Sequence, residues 1–112
     1  MDLRQAREIL QRYAGLFVHA YVYGSVARGE QDEASDVDLV LVRRTRAGFF
    51  DRMREVMPLV RELGPVDLLI YTPDELTEMV ETRRNAFLED VVAKGVAIEG
   101  SQGRGAALAP AG

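Results

Sequence analysis

The chain has 112 residues, 47% of them apolar and 29% charged, with a formal net charge of −4. This is the composition of one globular domain with a real core, not of a disordered polyelectrolyte. The acidic balance argues against a passive nucleic-acid coat, the absence of cysteine excludes disulfides and thiolate chemistry, and a single histidine, His19, excludes a site built on paired histidines.

Residues 2 to 14 read as an amphipathic helix. Asp2 is placed to cap it, and Leu3, Ala6, Leu10 and Tyr13 recur at helical spacing. Gly15 is its stop. Leu16 to Tyr23 is apolar apart from His19 and fits a buried strand. Gly24 to Glu30 reads as a turn and a short helix, and Gln31 to Ser35 as a polar loop. Asp36 to Arg43 is a second strand: Val37, Leu39 and Leu41 can pack one way while Asp36, Asp38 and Val40 face the other. Residues 48 to 63 look helical, with Phe49, Met53, Val56, Met57 and Val60 on one side and Pro58 kinking or dividing the helix. Gly64-Pro65 ends it, and Val66 to Tyr71 is a third strand, apolar around Asp67.

Thr72 as N-cap, Pro73 at the first helical position and Glu75 closing a capping box mark a strong helix start. Helix is expected to about Arg84 and again from about Asn85 to Lys94. Gly95 closes it, and Val96 to Glu99 is a short last strand. Residues 1–99 are expected to form one domain, and residues 100–112, rich in Gly, Ala and Pro, a disordered tail. No apolar run approaches the roughly 20 residues of a membrane span. Met1-Asp2-Leu3-Arg4-Gln5 lacks the layout of a signal peptide, so a cytoplasmic location is expected.

The chemistry concentrates in Tyr23-Gly24-Ser25-Val26-Ala27-Arg28-Gly29-Glu30 and Ser35-Asp36-Val37-Asp38-Leu39-Val40. Asp36 and Asp38 share a strand face, where their mutual repulsion is relieved by a hard divalent cation such as Mg²⁺. A Gly-Ser turn leading into a helix offers free backbone N–H groups that suit phosphate. Together these are the parts of phosphoryl or nucleotidyl transfer. Asp67 lies mid-strand in an apolar segment, where a lone charge is costly. One reading is an edge-strand residue facing water, or a turn residue after Gly64-Pro65. The other places the second and third strands side by side, so that Asp36, Asp38 and Asp67 hold two Mg²⁺ ions and Asp67 helps to deprotonate the attacking group. Arg28 either contacts phosphate or pairs with Glu30, Asp32 or Glu33. Gly29 fixes a backbone turn, and Ser35 caps the loop locally. His19 reads as a packing residue, and Tyr21 and Tyr23 as core or sheet surface beside the site.

Gly24-Ser25, ten intervening residues and then Asp36-Val37-Asp38-Leu39 resemble the signature of the DNA polymerase beta nucleotidyltransferase superfamily. The fuller string is similar to that of its small prokaryotic branch, the minimal nucleotidyltransferases, which are antitoxin partners of HEPN-domain toxins. The resemblance spans the chain from the first helix to the strand near Ile98. It implies an α/β (α+β) nucleotidyltransferase fold, a small mixed sheet with helices packed against it. It also implies that Gly24, Ser25 and Arg28 bind the triphosphate of a nucleotide, ATP, while Asp36, Asp38 and Asp67 are the catalytic metal ligands for two Mg²⁺ ions. The implied reaction is transfer of AMP to a Tyr hydroxyl of a cognate HEPN toxin. The alternatives are a non-catalytic antitoxin that binds its partner stoichiometrically, and adenylylation of a small molecule. No basic stripe with interleaved aromatics marks a nucleic-acid track, so direct nucleic-acid binding is not expected. A homo-oligomer is compatible with the sequence.

Overall fold

Apolar runs of strand length build a four-stranded sheet in the order β3-β2-β1-β4. The strands are β1 (His19–Tyr23), β2 (Val37–Val42), β3 (Val66–Tyr71) and β4 (Val96–Glu99). β1 runs antiparallel to β2 and β4, and β2 runs parallel to β3. The helices are α1 (Leu3–Arg12), α2 (Gly24–Arg28), α3 (Arg52–Glu55), α4 (Met57–Leu63), α5 (Pro73–Thr77) and α6 (Ala86–Lys94). This computed structural model describes residues 1–30 and 36–102; the loop expected over 31–35, with Ser35, Asp32 and Glu33, and the tail from 103 onward lie outside the described residues. The mixed sheet with packed helices is the expected α/β class. No helix among the described residues is long and apolar enough to cross a membrane.

Period-two alternation divides the sheet into two faces. One face presents Ala20, Val22, Leu39, Leu41 and Ile70 to Leu10 of α1 and to Leu59 and Leu63 of α4. The other presents Val40 to Leu88 and Val91 of α6, with Tyr21, Tyr23, Leu69 and Tyr71 packed around them. β2 is central and covered on both sides, which is why its sequence is apolar almost throughout. Leu39 and Leu41 are fully buried, and each such side chain contributes about 1.5–3 kcal/mol.

The helix starts follow their caps. The Gln5 amide donates to Asp2 Oδ1 (2.8 Å), and the Asp2 amide donates to the Gln5 side chain (2.9 Å). Thr72 and Glu75 form the expected capping box. Asn85 caps α6 by accepting from the Leu88 amide (2.9 Å). Other boundaries move. α1 stops at Arg12, a 3₁₀ turn, Ala14–Leu16, takes in Leu16 from the expected strand, and β1 begins only at His19. The helix expected to run on to Arg84 passes after Thr77 into a π-helical turn, Glu78–Thr82. Gly100 to Gln102, placed with the tail on composition, are bound into the fold. Their amides donate to the carbonyls of Val18, Ala14 and Phe17 in turn.

The stretch from 48 to 63 departs most from its helical pattern. Phe49, Phe50 and Met53 are exposed, while Val56, Leu59 and Leu63 are buried. The helix divides at Val56, with Pro58 in the first turn of α4, and the break resets the helical phase. Arg52 goes inside instead, 7% exposed. Its guanidinium donates to Glu75 Oε1 (2.6 Å) and Oε2 (3.0 Å), to the Ile70 carbonyl (3.1 Å) and to the Ala47 carbonyl (3.1 Å). One side chain thus joins α3, the end of β3 and the start of α5.

The bidentate bond to Arg52 holds the Glu75 carboxyl below its ordinary value of 4.5. A depressed carboxyl stabilises the fold fully above its unfolded value and loses that contribution as pH falls through its folded value. Glu75→Gln is expected to cost about 1–3 kcal/mol at pH 7, because it leaves the buried Arg52 without its counter-charge. Urea unfolding at pH 7 and pH 3.5 should show a smaller acid-dependent loss in the variant than in the parent; equal losses would contradict the role given to this pair.

Candidate active site

Because β1 and β2 are antiparallel, β1 ends beside the start of β2. Tyr23 pairs with Asp38, and Asp38 pairs in turn with Asp67 across the parallel β2/β3 ladder. One row across the sheet therefore reads Tyr23, Asp38, Asp67, and alternation puts the three on the face that α6 partly covers. Neighbouring strands lie about 4.8 Å apart, so the two carboxylates are within reach of one cation. β3 is an edge strand and Asp67 is exposed on it. The two readings of Asp67 are compatible: it faces water at an edge, and it stands beside Asp38.

The chain passes from β1 directly into α2. Gly24 sits at φ +73°, a left-handed conformation that L side chains rarely adopt. A Cβ there would also run into the Asp38 carboxylate. Glycine is thus needed for its backbone angle and for the missing side chain. No side chain caps the start of α2, whose first amides have no partner within the helix. Ser25 is the second residue of α2. Gly29, at φ 72°, ends the helix as the turn former expected of it.

Charge accumulates along this row. Burial, then the negative charges of Asp67 and Asp36, raise the Asp38 pKa, and Arg28 opposes the rise. Burial, followed by the charges of Asp38 and Asp67, pushes the Tyr23 phenol up to about 12, so it stays protonated at neutral pH. Arg28 Nε lies 3.2 Å from Glu30 Oε2, both side chains exposed. A pair so exposed is worth at most about 1 kcal/mol, so a phosphate could displace Glu30 from it.

Gly24, Arg28, Asp38 and Asp67 thus meet at one end of the sheet. Asp36 precedes β2 and is exposed. Among the described residues, no group of three His, Cys, Asp or Glu side chains is arranged to hold a metal ion. The expected three-carboxylate cluster is here a register-matched pair, Asp38 and Asp67, with Asp36 at the strand entrance. The donor set still fits Mg²⁺, which takes hard oxygens and commonly one or two carboxylates together with substrate phosphates. His19 lies on the same face but at the far end of β1, half-exposed, stacked on Tyr21 (centroids 6.1 Å apart) with Nε2 3.6 Å from Glu99; it stands apart from Asp38 and Asp67. Two aromatics were undervalued by sequence reasoning. Tyr23 heads the carboxylate row, and its position immediately before Gly24 was the available signal. Phe87 of α6 meets Tyr23 edge-to-face at 5.3 Å, a long-range contact with no local signature.

The family described as polymerase beta, nucleotidyltransferase, matches residues 4–102. A crystal structure from Sulfolobus solfataricus named "putative nucleotidyltransferase" is similar at 30% identity and a TM-score of 0.50, over 65% of this chain and 68% of that one. Among curated proteins none matches the chain.

Gly24→Ala is expected to cost about 1–2 kcal/mol from the left-handed backbone, and more from the collision with Asp38. Asp38→Ala should relieve only the second part. Urea unfolding of the two single variants and the double variant should therefore show non-additive costs, the double being more stable than the sum predicts; strict additivity would contradict the contact.

Proposed function

The chain belongs to the polymerase beta nucleotidyltransferase family, and from that premise we propose that it transfers AMP from ATP to a hydroxyl group. The observation that carries this reading is the alignment of Asp38 with Asp67 beside the open amides of Gly24 and Ser25. Asp38 and Asp67, with Asp36 at the entrance, would hold divalent cations, Mg²⁺, which when bound neutralise the triphosphate and acidify the attacking hydroxyl.

The chain's own groups do the rest. The amides at the start of α2 and the Ser25 hydroxyl bind the outer phosphates and hold the departing pyrophosphate. Arg28 leaves Glu30 for the phosphates, a charge-assisted contact that strengthens as the leaving group gains charge. Tyr23, protonated, is a hydrogen-bond donor at the head of the row. Asp67, on the open edge, takes the proton of the acceptor hydroxyl. The oxygen so freed attacks the α-phosphorus, the bond from that phosphorus to the β-phosphate oxygen breaks, and pyrophosphate leaves with the electron pair.

The acceptor in this reading is a Tyr hydroxyl of a HEPN toxin, whose modification silences it. This step rests on the resemblance to the minimal nucleotidyltransferases. Its test is incubation of the protein with labelled ATP, Mg²⁺ and a candidate HEPN-domain partner. Label should appear on the toxin, and Asp36→Asn with Asp38→Asn, or Asp67→Asn alone, should lower it by about 100-fold or more. Neutralisation of the toxin without ATP or Mg²⁺ would instead identify a stoichiometric binder. Label that survives the double substitution would contradict the assignment of the carboxylates.

A further inference from the structure

Beside the carboxylate row, α2 and α6 enclose a cleft of about 230 Å³. Its apolar wall is Tyr23, Ala27, Phe87 and Val91, and Gly24 belongs both to it and to the candidate active site. The volume is below the roughly 300–1,000 Å³ of sites that enclose a whole drug-sized ligand, so it suits one part of a larger molecule. Phe87 is 46% exposed although aromatic. In an edge-to-face pair each ring keeps at least one face uncovered by the other, and Tyr23 and Phe87 meet at 78°. An open aromatic face beside a phosphate-binding turn is the surface on which a base stacks.

The rim is polar and mixed in sign. Asp90 and Lys94, one turn apart on α6, pair at 3.1 Å and are both largely exposed. A carboxylate can accept from an exocyclic amino group and an ammonium can donate to a ring nitrogen or carbonyl. Arg28 stands at the side of the cleft nearest the turn. The apolar wall offers phosphates few donors, and each cation beside it, Lys94 and Arg28, already faces a carboxylate, Asp90 and Glu30.

We propose that the α2–α6 cleft seats the nucleobase of the nucleoside triphosphate, stacked against Phe87, with Asp90 and Lys94 at its edge. The inference rests on the nucleotidyl-transfer reading and adds to it where the donor nucleotide lies. The base is on the β1 side of the row and Asp67 is on the β3 edge at the other end. The donor therefore leaves the β3 side open to the acceptor.

The test is calorimetric titration with Mg²⁺ and either a non-hydrolysable ATP analogue or inorganic tripolyphosphate. Phe87→Ala should weaken the nucleotide by about 10-fold or more and leave tripolyphosphate unchanged, and Phe87→Trp should retain nucleotide affinity. The surface position of Phe87 makes folding of both variants testable by circular dichroism before titration. If Phe87→Ala leaves nucleotide affinity unchanged, or weakens tripolyphosphate equally, the base does not lie here while the nucleotide reading stands. If the parent protein binds neither ligand, the nucleotide reading fails and this one fails with it.

Discussion

The close approach of the Asp38 carboxylate to the backbone of Gly24 organises this protein. Antiparallel pairing sets Tyr23 opposite Asp38, so the turn that ends β1 and the carboxylate that opens β2 occupy the same corner. Only a residue without Cβ lets them meet. The Gly24-Ser25 turn and the Asp38 carboxylate are thereby adjacent in space. The parallel β2/β3 register then adds Asp67 to the row. A slip of one residue in either pairing would turn a carboxylate to the opposite face.

The rest of the fold makes that register hard to change. β2 is buried on both faces, with Leu39 and Leu41 inside one layer and Val40 inside the other. Interiors packed to this degree resist small displacements. At the C-terminal end of β3, Arg52 ties the strand to α5 through the Ile70 carbonyl and Glu75. The buried guanidinium is satisfied by hydrogen bonds and a counter-charge, which is the condition under which a buried ion is tolerated. At the opposite end the charges are left in opposition: burial, then the charges of Asp67 and Asp36, raise the cost of ionising Asp38, and a cation would relieve it.

Much of this was legible in the sequence because it is local. Alternation in Val37 to Val42 and Val66 to Tyr71, the capping residues Asp2 and Thr72, and the spacing from Gly24-Ser25 to Asp36-Val37-Asp38 each depend on neighbours a few residues away. What failed depends on distant contacts. Arg52 looks like a solvated residue until Glu75, 23 positions on, is folded against it. Phe49 and Met53 fit a helical stripe, but the divide at Val56 changes the phase and leaves them exposed. Gly100 to Gln102 read as tail by composition, yet their amides bond to Ala14 in the 3₁₀ turn and to Phe17 and Val18 just before β1. The side-by-side placement of Asp38 and Asp67 was available only as one of two readings, because strand order is a property of the whole sheet.

The proposed donor pose has a polarity: base on the α6 side, phosphates at the turn, carboxylates across the middle and acceptor over the β3 edge. It requires that Asp38 and Asp67 together form the cation site beneath the Gly24–Ser25 turn. Anomalous diffraction from crystals grown with Mn²⁺ and a non-hydrolysable ATP analogue tests it most directly. A manganese peak coordinated by both carboxylates is expected, with the triphosphate against the first amides of α2. A peak bound away from the Asp38–Asp67 pair, with the nucleotide held elsewhere, would contradict it.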